Sequence, residues 1–100
     1  MQQNIQALSQ DELEKALSKL EGWDFISNSI KKEFKFSSYM LGIDFVMRGA
    51  KFAEKIQHHP EIIINYKRVT VILTTHDAGN KVSTKDILSA KELNYIASEL

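Results

Sequence analysis

Apolar residues recur along the chain with two different periods, and the changes of period divide it into seven segments. Leu13, Ala16, Leu17 and Leu20 recur every three or four residues, the spacing that gathers side chains on one side of a helix. Ser9 and Glu12 stand at the positions of a capping box, in which each side chain takes up a free backbone N–H of the first turn, and Leu8 and Leu13 can clasp across it. With Gly22 as a left-handed exit, a helix is predicted over about 10–21. The period then shortens to two. Trp23 to Ile26 and Ile30 to Phe36 predict two strands about the polar turn Ser27-Asn28-Ser29. In the second of them Ile30, Lys32, Phe34 and Phe36 share one face, while Lys31, Glu33 and Lys35 share the other.

Helical spacing returns after Ser37-Ser38, either of which can cap a helix running to about Gln57. Leu41, Phe45, Val46, Gly49, Phe52, Ala53 and Ile56 occupy one side of it, and Asp44, Arg48, Lys51, Glu54 and Lys55 the other. Gly42 and Gly49 each cost helix propensity, about 1 kcal/mol relative to Ala, so close packing against the sheet or a second subunit is expected there. Pro60 stops the helix and turns His59 away from helical geometry. Glu61 to Tyr66 and Val69 to Thr75 predict a second pair of strands, with His76 continuing the Thr74 face unless the strand bends. Ile62-Ile63-Ile64 does not alternate, which predicts burial on both faces, as at an interface. After the loop 77–81, Ser83 and Asp86 make another capping box, and Ile87, Leu88, Leu93, Ile96, Ala97 and Leu100 form a closing helix.

Two hairpins separated by helices predict an αββαββα chain: an α+β two-layer sandwich, one four-stranded antiparallel sheet with the helices on one face. Its length of 100 residues is that of one domain, 1–100. Thirteen basic residues balance thirteen acidic ones, so the basic footprint of a nucleic-acid binder is missing. The chain has no cysteine, which excludes disulfides, thiolate metal sites and thiol nucleophiles. No apolar run approaches the ~20 residues that span a bilayer, and Met1-Gln2-Gln3-Asn4 lacks the start of a signal peptide. A cytoplasmic protein that does not engage a membrane is the expectation.

All three histidines fall between Glu54 and Asp86. His58 and His59 stand where the second helix ends, near the negative pole of its dipole, which favours a protonated ring. Glu54 is one turn before His58, where side chains on a helix meet. Imidazoles titrate near neutrality, so a cluster can give a proton at one atom and take one at another. Each residue also has a plainer reading: a polar helix end for His58-His59, a strand-end residue for His76, a solvated Glu54, a helix cap for Asp86, and core positions for Trp23 and Tyr66. A zinc or iron site of three histidines and a carboxylate is the sharper competitor, although adjacent histidines point apart and no i, i+4 histidine pair exists.

The spacing as a whole is more specific than its parts. Glu54, three residues, His58-His59-Pro60, five residues, Tyr66, nine residues, His76, nine residues and Asp86 resemble the signature of the pterin-4a-carbinolamine dehydratases. Gly22-Trp23, Phe34, Phe36 and Phe45 extend the resemblance over residues 8 to 97. It implies a hydro-lyase that converts 4a-hydroxytetrahydrobiopterin to the quinonoid dihydropterin in tetrahydrobiopterin recycling, with no metal and no other cofactor, as a homodimer or homotetramer. It further implies that His58, His59 and His76 are catalytic, that Glu54 and Asp86 are supporting acids, and that Gln57, His58, His59, Thr74, Thr75, His76 and Asp77 contact the pterin. Gln57 departs from the aspartate usual in animal members, which removes one charge beside the site. Animal relatives also act as dimerisation cofactors of a transcription factor, so a non-catalytic dimerisation or coactivator module on the same fold is the alternative.

Overall fold

The seven segments fold as αββαββα in a computed structural model that describes residues 5–100; Met1–Asn4, on which the signal-peptide reading rests, lie outside the described residues. Helix α1 (Gln10–Leu17) opens on the expected capping box, with Ser9 Oγ accepting from the Glu12 N–H and Glu12 Oε1 from the Ser9 N–H. Hydrogen bonding to the carboxylate, first by the Ser9 backbone and then by the Ser9 side chain, holds the Glu12 carboxyl below the ordinary glutamate range. The helix ends four residues earlier than expected. The chain continues through tighter turns, Lys19 N–H to Ala16 O and Leu20 N–H to Leu17 O, which still deliver Leu20 to the core, and Gly22 makes the left-handed exit at φ 85°.

Strands β1 (Asp24–Ile26) and β2 (Ser29–Lys35) pair through a two-residue turn. Ser27 and Asn28 both take positive φ, 51° and 63°, the mirror-image geometry that matches strand twist, so Ser29 joins the ladder opposite Ile26. Helix α2 (Tyr39–Ile56) is capped by Ser38, and β3 (Glu61–Asn65) and β4 (Arg68–Leu73) form the second hairpin. Helix α3 (Thr84–Ser98) closes the chain. The sheet is antiparallel in the order β1-β2-β4-β3, which leaves β3 at an edge.

Ile30 lies opposite Leu73 and Phe34 opposite Val69, so the two central strands present one apolar face to α2 and α3. That face, with Leu13, Leu20, Trp23, Phe45, Ala90, Leu93 and Ile96, makes one contiguous core. Lys32 shares the inner face; its Nζ donates to Asn94 Oδ1 (2.8 Å) and Glu21 O (2.9 Å), and Asn94 Oδ1 also accepts from Trp23 Nε1. Burial pushes the Lys32 ammonium down, against the opposing pull of Glu21. The helix-two glycines pack within the chain: a Cβ at Gly42 would meet Val69 at 3.4 Å, and one at Gly49 would meet Leu93 at 2.8 Å.

The isoleucine run corrects the sequence reading. Ile63 and Ile64 are exposed rather than buried on both faces, because β3 has no neighbour on its outer side within this chain. Tyr66, expected in the core, projects from the β3–β4 turn, 66% exposed at φ 54°, with the Lys67 ammonium over its ring.

Candidate active site

The histidines meet where the end of α2, the end of β4 and the start of α3 come together. Helix α2 stops at Gln57, whose left-handed backbone (φ 53°) turns the chain so that the His58 N–H reaches back to Ala53 O (3.0 Å). His58 has therefore left the helical phase, and Glu54 does not pair with it. Glu54 Oε2 instead meets His59 Nε2 at 2.5 Å on the surface. His58 turns inward to Asp86, Nε2 to Oδ1 at 2.6 Å, and both are buried.

Asp86 explains how a carboxylate can sit at 0% exposure. Its second oxygen accepts from the Thr75 hydroxyl (2.7 Å) and from the Ser83 N–H (2.9 Å). With its own proton committed to Asp86, Thr75 accepts from Ser83 Oγ at 2.6 Å. A buried charge is tolerated when its lone pairs are filled in this way. Asp86 is thus both the third-position acid of the α3 capping box and the partner that fixes His58.

His76 does not continue the strand. Strand β4 ends at Leu73, Thr75 forms an isolated bridge to Lys81, and the chain coils into a 3₁₀ turn, His76–Ala78, which carries His76 to the surface. Gly79 and Asn80 take left-handed backbones, φ 75° and 59°, and Asn80 Oδ1 returns to His76 Nδ1 at 3.0 Å.

An open cleft of about 260 Å³ results, lined by Gln57, His58, His59, Thr74, Thr75, His76 and Asp77, with Ile5 and Lys85 completing the wall. Its size approaches the lower end of small-molecule sites. Glu54 and Asp86 are not in the lining; each stands behind the imidazole it orients. Thr75 contributes wall but not a free hydroxyl, and Tyr66 stands apart from the cleft. Ile5 and Lys85 escaped the sequence reading. Ile5 precedes the first periodic segment and is brought near by the Leu8 N–H to Val82 O bond; Lys85 looked like one more polar residue in a helix first turn. A smaller void of about 10 Å³ behind His58 is walled by apolar residues of α2 and by Ile62 and Leu93.

His58 and His59 diverge, one to Asp86 and one to Glu54, and among the described residues no three of His, Cys, Asp and Glu gather as a metal-ligand set. Among the same residues, no helix is long and apolar enough to cross a membrane.

Three imidazoles, two from the loop after α2 and one from the turn after β4, surround one polar cleft, and two of them are backed by carboxylates, an arrangement of the acid–base class on an α+β scaffold. Comparison with known proteins gives that class a family. The family model for Pterin 4 alpha carbinolamine dehydratase matches residues 6–96, and the chain belongs to that family. A relative from Mycolicibacterium smegmatis that carries the family's name is 41% identical over 92% of this chain and 97% of its own. One from Aquifex aeolicus is 36% identical over 96% of both chains. The crystal structure of a transcriptional coactivator/pterin dehydratase from Brucella melitensis superimposes with a TM-score of 0.87, at 38% identity over 91% of this chain and 98% of that one. A pterin dehydratase-like protein identified as a RuBisCO assembly factor in the alpha-carboxysome shares the fold, with a TM-score of 0.65 at 21% identity over 77% of this chain and 90% of that one.

Proposed function

We propose that this protein is a hydro-lyase that dehydrates 4a-hydroxytetrahydrobiopterin to the quinonoid dihydropterin by proton transfer among His58, His59 and His76, as a step in tetrahydrobiopterin recycling. The observation that carries the reading is the convergence of the three imidazoles, two from the loop after α2 and one from the turn after β4, on one cleft, in a chain of this family. Loss of water from a carbinolamine needs a proton delivered to the C4a oxygen and a proton removed from a ring nitrogen. The nitrogen lone pair forms the C=N bond as the C4a–O bond breaks, and the hydroxide leaves as water with the delivered proton. No electrons are gained or lost overall, so the reaction calls for no redox partner. In this scheme His59 and His76 perform the two transfers, His58 positions the ring, and Gln57, Thr74 and Asp77 contact its polar edge. Asp86 and Glu54 act through the imidazoles they hold.

Self-association is part of the same proposal. The outer edge of β3 presents unpaired backbone groups with Ile63 and Ile64 beside it, a template for pairing with a second copy. Met40 and Met47, seven residues apart on α2 and exposed, offer a second apolar surface, which fits a dimer or a dimer of dimers.

The second reading is a non-catalytic dimerisation or coactivator module. It is favoured by the Brucella relative, described as a transcriptional coactivator as well as a pterin dehydratase, and by the carboxysome protein of the same fold. A pure scaffold has no use for two carboxylate-backed imidazoles and a third beside them, which weighs for chemistry. Stopped-flow absorbance of freshly generated 4a-hydroxytetrahydropterin separates the two. The enzyme reading predicts acceleration over buffer; an unchanged rate overturns it.

A further inference from the structure

The three imidazoles of the cleft are not held alike. His58 Nε2 faces Asp86 and His59 Nε2 faces Glu54, whereas His76 Nδ1 faces the side-chain amide oxygen of Asn80. A carboxylate or an amide oxygen can only accept, so each partner calls for a proton on the ring nitrogen it meets. His58 and His59 are thereby set as Nε2–H rings and His76 as an Nδ1–H ring. In neutral His76 the proton at Nδ1 leaves Nε2 as a bare lone pair, not engaged by Asn80, on a ring that lines the cleft.

Local backbone geometry does not by itself single out asparagine here, since the left-handed conformation suits glycine and asparagine alike. Residue 80 sits at φ 59°, directly after Gly79 at φ 75°. Glycine would occupy that conformation at no steric cost. What asparagine adds is the acceptor, and the 3₁₀ turn returns it to the Nδ1 edge of the ring four positions earlier, with the Asn80 N–H also bonded to His76 O at 3.2 Å.

We infer that Asn80 is a positioning residue that holds His76 in the Nδ1–H tautomer, so that Nε2 serves as the base of the dehydration. The role as base rests on the proposed reaction; the tautomer does not. His76 Nε2 takes the ring-nitrogen proton as the C4a–O bond breaks, a second imidazole protonates the departing oxygen, and exchange with solvent restores both. The charged and titratable groups around His76 are His58, His59, Asp77 and Lys85 in the cleft, with Asp86 and Glu54 behind the first two.

The test has an activity-independent arm. Long-range 1H–15N correlation spectra of the histidine rings, recorded where the rings are neutral, are expected to show His76 as the Nδ1–H tautomer. In Asn80→Gly, which keeps the left-handed backbone, the proton should redistribute toward Nε2. In the kinetic arm, Asn80→Gly should lower kcat about tenfold with KM little changed, a fraction of what a general base contributes. Asn80→Asp keeps an acceptor and adds a charge that favours the protonated ring. It should retain most of the activity and move the acid limb of the kcat/KM profile to higher pH by about one unit. An Nε2–H ring in the wild type, or a tautomer indifferent to Asn80→Gly, overturns the inference even if the protein dehydrates pterins. A wild type with the Nδ1–H ring and no dehydration overturns the base role together with the proposed reaction.

Discussion

His58, His59 and His76 share a cleft but stand in different relations to the fold. His58 is 9% exposed and completes the shell of an Asp86 carboxylate that no water reaches, while His59 and His76 are exposed. Truncating His58 leaves Asp86 Oδ1 unpaired in the interior, a loss on the order of 2–3 kcal/mol. Truncating His59 or His76 removes only a surface hydrogen bond and should change stability by less than about 0.5 kcal/mol. Urea unfolding of the three alanine variants should therefore single out His58→Ala. Equal and large losses at all three would return these residues to a structural role. The residue scale is also where sequence and structure parted most. Glu54 and His58 have the spacing of a helical pair, but the pairing moved to His59 because the left-handed backbone of Gln57 turns the chain out of helical phase before His58. Glycine or asparagine announces such a turn; glutamine does not. Pro60 signalled the stop and left the last turn undetermined.

The elements themselves were legible, since each carries its own signal: capping boxes at Ser9 and Ser83, alternation in β2 and β4, and the apolar side of α2. The glycines of α2 needed the partner helix to be read. Both were expected at close contacts, yet the contacts differ in tightness. At Gly42 an added methyl falls at ordinary contact distance from Val69, so Gly42→Ala should gain up to about 1 kcal/mol of helix propensity. At Gly49 it falls 2.8 Å from a core Leu93 methyl, and overpacking of typically 1–3 kcal/mol outweighs that gain. The two alanine variants should shift the melting temperature in opposite directions; a stabilised Gly49→Ala would show that α2 and α3 can move apart cheaply. The α1 cap carries a pH signature. Because the folded Glu12 pKa is depressed, its contribution is present above the unfolded value, about 4.3, and is lost as pH falls through the folded one. The stability difference between wild type and Glu12→Gln should accordingly be present at neutral pH and vanish in acid. A difference that persists unchanged into strong acid would contradict the assignment.

At the scale of the whole molecule, the αββαββα order and the helices on one side of a four-stranded sheet were readable from the succession of periods. Strand order was not, and with it went the reading of Ile62-Ile63-Ile64. Only the order β1-β2-β4-β3 reveals that this apolar strand is an edge, so the surface that looked doubly buried is open in one chain. Replacing Ile63 and Ile64 together by lysine puts charge on that edge, which blocks strand pairing. Sedimentation should report a smaller species for the double variant than for the wild type, and identical sizes would remove β3 from the interface. Of the motif, His58, His59 and His76 come to one cleft with their neighbours Gln57, Thr74, Thr75 and Asp77, while Tyr66 lies apart from it. Ile5 and Lys85 in its wall, and Asn80 against His76, were not legible, since their places leave no periodic trace.

The central claim is that the imidazoles of this cleft, and no bound metal, dehydrate a pterin carbinolamine. It is tested most directly by single-turnover stopped-flow with 4a-hydroxytetrahydrobiopterin and chelator-treated protein, comparing wild type with His59→Ala and His76→Ala. We predict that the wild type accelerates loss of water in chelator and that each variant, folded and equally stable, is slower by about a hundredfold or more. Variants as fast as the wild type, or a wild-type rate lost to chelator and restored by zinc, would contradict the account.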